Sequence, residues 1–320
     1  GYLIKMKIKH NKPKIIRKGK SYTLKDSPLY KITSKKKLLS ILSQASITIS
    51  DWTKAIGDYS IFIDNKNPQK PRTIEKPNKS LDIYQSRIAS LLCRIEPPDF
   101  IHSGTKRRSH VTNAKIHLAN ENTFTTDIKS FFPSTPIEKV FYFFYGVMKC
   151  EPDVADLLAK LCTCNGHIPT GSRISMPMSF WANEKMFREL KNLSIQHNVT
   201  MTLYVDDITF TGSNVIKIFV NTVKKIITRH GHVMHPKKSI LYPKGSVKVI
   251  TGVVIRNGTA LAKNEQHKNL YQDIELLKVF SGKLSPPEKL IDRTLGRINS
   301  LSVIESRYKD KARSLWNLIK

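Results

Sequence analysis

Hydrophobic residues in this chain repeat with two different periods, and the switches between them divide it into elements. Spacings of three and four mark helices. Leu38, Leu39 and Leu42 share one face behind a Thr33-Ser34 cap. Leu81, Tyr84, Ile88, Leu91, Leu92 and Ile95 form the inner stripe of a helix over 80–95, capped by Ser80 and Asp82 and stopped by Pro97-Pro98. Helices are also predicted over 136–149, with an aromatic stripe read as core, over 180–196, and over 214–229, where Ile216, Phe219, Val223, Ile226 and Ile227 face inward. From 264 onward the pattern is helical and basic. Alternation by two marks strands: Asp58–Ile63 and Pro71–Glu75 around a turn at Asn65–Pro68, then 122–127, 201–210, and 247–255 pivoting at Gly252. Such a mixture predicts an α+β chain.

The run Met201–Phe210 organises the rest. Leu203 and Val205 alternate with Thr202 and Tyr204, Asp206 and Asp207 interrupt, and Ile208, Thr209 and Phe210 resume. It reads as a strand, a turn made of Asp206 and Asp207, and a second strand. Acids among apolar neighbours are costly unless a cation or hydrogen bonds compensate them; they also suit plain turns. A second β-rich run, Asn122–Asp127, ends in one acid followed by Phe131, Phe132 and Pro133. Two strand-borne acidic sites can converge on one sheet and hold Mg²⁺, whose other positions are filled by water and phosphate oxygens. Two such ions clamp the attacking and leaving oxygens of a phosphoryl transfer.

Charge sharpens the picture. The chain has 320 residues, 54 Lys+Arg against 25 Asp+Glu, and a net charge of +29. A surface this basic is a nucleic-acid footprint whose affinity falls with salt. At 40% hydrophobic residues the chain can bury a core, which excludes wholesale disorder. No apolar run approaches the ~20 residues of a membrane span, and no signal peptide is read. Cys93, Cys150, Cys162 and Cys164 form no CxxC pair, so neither zinc nor a disulfide framework is expected, and a cytoplasmic protein is.

Tyr204-Val205-Asp206-Asp207 resembles the catalytic tetrad of reverse transcriptases, and Thr126-Asp127 through Pro133-Ser134 resembles their first catalytic motif. Asn113-Ala-Lys-Ile-His117 resembles the Asn-Ala-x-x-His signature of retron enzymes, and Ile250-Thr251-Gly252 their Val-Thr-Gly, with Ile for Val. The resemblance implies a right-hand polymerase: a basic arm over 1–30, fingers over 31–125 with 150–195 interleaved, a palm over 120–150 and 196–255, and a helical thumb over 256–320. It implies Asp127, Asp206 and Asp207 as catalytic acids, with Ile128 joining them around two Mg²⁺ ions. For the dNTP it implies Lys70 and Arg72 on the first hairpin, Phe132 as the gate against ribose, Gly171 in a loop leading to a helix, and Lys238 near the leaving phosphates. Thr170 departs from the family, which shows Gln before that glycine. For RNA it implies Asn113 and His117, the basic loop with Arg107 and Arg108, and Thr251 and Gly252. On residues alone, Asn113 and His117 fit equally a helix cap and a buried histidine.

The implied activity is RNA-directed DNA synthesis by a retron enzyme. It would copy part of a structured non-coding RNA, serving as template and primer, into branched RNA–DNA, within an anti-phage ribonucleoprotein carrying an effector protein. The rivals are another bacterial reverse transcriptase (defence-associated, intron-type or diversity-generating) and a non-catalytic RNA-binding scaffold.

Overall fold

The computed structural model describes residues 20–43, 52–280 and 285–319. Most of the basic N-terminal arm therefore lies outside the described residues. In chain order the elements are α1 (Lys35–Leu42), α2 (Trp52–Ala55), β1 (Tyr59–Asp64), β2 (Arg72–Pro77), α3 (Lys79–Cys93), α4 (His110–Lys115) and β3 (Thr123–Asp127). Then come α5 (Ile137–Tyr142), α6 (Pro152–Leu161), α7 (Ser175–Ala182), α8 (Glu184–Gln196), β4 (Thr200–Tyr204), β5 (Asp207–Thr211) and α9 (Lys217–Arg229). The chain ends with β6 (Ile240–Tyr242), β7 (Lys248–Ile250), β8 (Val253–Arg256), β9 (Thr259–Leu261), α10 (Asn264–Phe280), α11 (Glu288–Ile304) and α12 (Tyr308–Ile319). These fall into two compact units interleaved in sequence, 1–97 with 129–187 and 98–128 with 188–320.

The first unit is helical around Leu38, Leu42, Leu81, Ile88, Phe143, Phe144 and Leu158. Its β1–β2 hairpin pairs from Tyr59↔Pro77 to Asp64↔Arg72. Three expectations shift here. The 80–95 helix begins after Asn78, which makes no side-chain cap bond, and the Ser80 hydroxyl donates to the Asp58 carboxylate at 2.5 Å rather than capping the helix. The 136–149 helix widens into one π turn at Phe143–Val147; a Cβ on Gly146 would meet the Tyr142 ring at 2.7 Å. The long 180–196 helix breaks at Asn183, whose Nδ2 donates to Thr135 Oγ1 and Ser179 O.

The second unit carries a four-stranded sheet in the order β4-β5-β3-β6. Its two faces differ, because side chains alternate across a strand. Phe124, Met201, Leu203, Ile208 and Phe210 fill one face and are all buried; Phe124 stacks on Phe210, which meets Phe219 of α9 edge-on. The other face is threonine: register pairs Thr123↔Thr211, Thr125↔Thr209 and Thr202↔Thr209 lie along it. A second sheet, β7-β8-β9, shares a core with α4, α10, α11 and α12 through Val111, Ile250, Val253, Leu270, Ile298 and Tyr308.

Candidate active site

The threonine face ends in acids. Asp127 closes β3, Asp207 opens β5, and the two are register partners, which puts their Cα atoms ~4.5–5.5 Å apart. Asp206 precedes Asp207, and its carbonyl accepts from Ile128 N at 3.2 Å.

The turn lies one residue earlier than expected. Tyr204 pairs with Asp207, so Val205 and Asp206 form it and Asp207 is already strand. A two-residue hairpin turn of this hand needs a left-handed residue, and Val205 supplies it at φ +58°. That conformation is unfavourable for a β-branched side chain and persists only where the surroundings impose it. Val205 N donates to Ser103 Oγ at 2.9 Å. The loop bearing Ser103 pairs with β4 through His102 N to Leu203 O and Leu203 N to Phe100 O, each 2.9 Å. Arg108 fixes that loop by donating to the Ile101 carbonyl at 2.7 Å and to that of Asp99.

The acids feel one another. Burial, then the charge of Asp127, pushes the Asp206 carboxyl up to about 6. Burial, then the charges of Asp206 and Asp127, pushes Asp207 up to about 7. Lys238 donates Nζ to Asp127 Oδ2 at 3.0 Å, and this bond holds its amine above the ordinary lysine value. Asp127 Oδ1 is buried and has no hydrogen-bond partner. An orphaned carboxylate oxygen among mutually repelling acids fits a divalent cation. Among the described residues, no three His, Cys, Asp or Glu side chains are grouped to hold a metal by themselves. Mg²⁺ needs only one or two carboxylates when phosphates and water complete its shell, so the donor set suits magnesium arriving with a nucleotide.

The other residues expected at the nucleotide, Lys70, Arg72, Phe132 and Gly171, belong to the first unit. Lys70 and Arg72 are exposed, Arg72 opposite Asp64 at the end of the hairpin. Phe131 is buried edge-on against Phe187, while Phe132 is only half-buried against the core. Gly171 lies tight on β2: a Cβ would come within 2.8 Å of Ile74 Cγ2 and 2.9 Å of Glu75 O. Thr170, in place of Gln, is bound to β2. Its hydroxyl donates to Thr73 O at 2.7 Å and accepts from Glu75 N at 3.2 Å.

Asn113 and His117 are both 0% exposed, which is the buried alternative left open by the sequence. His117 is bonded on both ring nitrogens, and Asn113 donates Nδ2 to Thr251 Oγ1 at 3.4 Å. Thr251, half-buried, is itself engaged with His110 O at 2.6 Å. Arg107 and Gly252 are exposed, and Arg108 is spent partly on its own loop.

The sequence is 25% identical over 235 residues to the Retron Ec86 reverse transcriptase of Escherichia coli, covering 72% of each chain. It is 25% identical to the Retron Se72 reverse transcriptase of Salmonella heidelberg, over 68% of this chain and 61% of that one. The Retron Mx65 reverse transcriptase of Myxococcus xanthus is matched at 25% identity over 65% of this chain and 53% of its own. No family model matches. Among solved structures, that of a foamy viral protease-reverse transcriptase in complex with ds DNA aligns with a TM-score of 0.47 and 15% identity, over 96% of this chain and 47% of that one.

Proposed function

We infer that this retron-type reverse transcriptase copies RNA into DNA at the Asp127–Asp206–Asp207 end of its sheet. The observation that carries the site assignment is the register pairing of Asp127 with Asp207, with Asp206 in the adjoining turn. The second unit's four-stranded sheet is read as palm, α10–α12 as thumb, and the β1–β2 hairpin as part of the fingers.

The reaction is attack of a primer hydroxyl on the α-phosphate of a dNTP, with loss of pyrophosphate. Two Mg²⁺ ions, when bound, would polarise the phosphate and stabilise the attacking and leaving oxygens. Asp127 and Asp206 would hold them, with Ile128 alongside and Asp207 assisting. Lys238 contributes positive charge next to Asp127, where a triphosphate needs it. Lys70, Arg72, Phe132 and Gly171 are assigned to the nucleotide on the family resemblance, Phe132 facing the sugar. An Arg fork suits phosphate because it donates two parallel hydrogen bonds. RNA contacts fall to exposed Arg107 and the Gly252 turn.

The template and primer are read as a structured non-coding RNA, and the product as branched RNA–DNA. A role in phage defence with an effector protein follows from the same reading. No helix among the described residues is long and apolar enough to cross a membrane. Template-primed dNTP incorporation, with Asp206→Asn as control, tests the site: loss in the variant is expected, and equal incorporation by both proteins removes the assignment. Sequencing nucleic acid that co-purifies tests the product; absence of a 2′–5′ branch counts against it.

A further inference from the structure

His117 lies at the far end of the threonine face from the acids. Its Nε2 is 2.7 Å from Thr202 Oγ1 on β4, and its Nδ1 is 2.6 Å from Thr211 Oγ1 on β5. Thr211 Oγ1 lies 3.4 Å from Thr123 Oγ1 on β3, and Lys248 Nζ closes the chain by donating to Thr123 Oγ1 at 2.9 Å. One imidazole thus bonds β4, which leads into Asp206, and β5, which carries Asp207, and through Thr211 it is linked to β3, which carries Asp127. Each threonine sits four positions from an acid: Thr202 from Asp206, Thr211 from Asp207, Thr123 from Asp127. On β3 and β5 an even spacing keeps the threonine and the acid on one face.

A neutral imidazole has one donor and one acceptor nitrogen. Both are satisfied only if the two hydroxyls present opposite senses, which ties β4 to β5. A one-residue slip of β4 would turn Thr202 to the apolar face and orphan a fully buried ring nitrogen. The mount is fixed too: Asn113 and Thr251 fasten α4 to the turn between β7 and β8.

We propose that His117 is a positioning residue for DNA synthesis, holding β3, β4 and β5, the strands that carry or lead into the three acids, in register through Thr202, Thr211 and Thr123, rather than a contact to RNA. This rests on the catalytic reading of the three acids.

The test uses the full chain on an RNA template with a DNA primer. His117→Leu removes both bonds, His117→Gln keeps one, and Thr211→Val keeps shape but loses the hydroxyl. Single-turnover incorporation at saturating dNTP is measured per active molecule, counted by burst amplitude, alongside RNA affinity. His117→Leu should slow incorporation roughly ten- to hundredfold with RNA affinity unchanged. His117→Gln should recover part of the rate. Thr211→Val should slow it as well, and add less in the His117→Leu background than alone. If His117→Leu does not fold, the other two variants decide. An unchanged rate per active molecule, or lost RNA affinity at unchanged rate, would overturn the proposal. Failure of the underlying reading shows separately, as Asp206→Asn incorporating like the unsubstituted protein.

Discussion

Asp127 and Asp207 face each other across β3 and β5 as a register pair, with Asp206 one residue away in a strained turn. Without a cation the charges of Asp206 and Asp207 oppose folding, since burial and mutual repulsion push Asp206 up to about 6 and Asp207 up to about 7. Asp206→Asn should therefore be more stable than the unsubstituted protein at pH 8 in chelator, by about 1–3 kcal/mol, while losing incorporation. Denaturant unfolding checks the first and primer extension the second. A less stable variant would mean the acids are not crowded.

Two glycines should respond to alanine in opposite directions. At Gly171 the new methyl meets Ile74 and the Glu75 carbonyl, and backbone cannot yield cheaply. Gly171→Ala should lose about 1–3 kcal/mol. Gly296 sits within α11 with nothing within 4 Å of its would-be Cβ. Gly296→Ala should gain up to ~1 kcal/mol from helix propensity. Denaturant midpoints of both variants check the pair.

Much of this was legible in the sequence. Periodicity located most elements to within a few residues, and Asp127, Asp206 and Asp207 stood out as acids in β-rich runs. The turn was misplaced because Asp is a common turn residue and a left-handed Val is rare; only tertiary restraint from Ser103 makes Val205 tolerable there. Asn113 and His117 share a helical spacing, but spacing cannot say whether the shared face meets solvent or core. A signal did exist. Threonine at 123, 125, 200, 202, 209 and 211 describes strands with one polar face, and a buried polar face needs a polar cover.

The adjacent phenylalanines should separate stability from selectivity. Phe131 is 4% exposed and packs edge-on against Phe187, so Phe131→Ala should lose about 3–5 kcal/mol. Phe132 is only half-buried, so Phe132→Ala should lose less and, on the proposed role, admit ribonucleotides. Competition between dNTP and rNTP incorporation checks this. Unchanged sugar selectivity would remove Phe132 from the gate.

His117 should make the fold acid-sensitive. Burial, then the charge of Lys248, lowers its pKa from 6.5 to about 3. The folded protein keeps the ring neutral where the unfolded chain protonates it, so the unfolded state binds more protons between those values. Stability from this group is complete above about pH 6.5 and falls toward pH 3, by up to ~1.4 kcal/mol per pH unit. In His117→Gln that contribution to the slope should vanish. Denaturant unfolding at successive pH values measures it, and identical slopes would show that His117 does not titrate this way.

Val205 is where stability and rate should part. Its left-handed conformation, at φ +58°, stores about 1–3 kcal/mol, which Val205→Gly releases. Glycine gives back roughly 0.5–1 kcal/mol through the freer unfolded chain. The net expectation is a protein as stable as before or up to ~2 kcal/mol more so. Incorporation should nonetheless slow, because a residue without Cβ leaves the turn that aims Asp206 freer, even though its backbone N–H can still donate to Ser103 Oγ. Ser103→Ala probes the same restraint from outside the turn: it removes the hydroxyl holding Val205 N, and should slow incorporation while lowering stability by about 1 kcal/mol. Unfolding and single-turnover rates on the two variants resolve it. A destabilised Val205→Gly with an unchanged rate would show that the strain is neither present nor used.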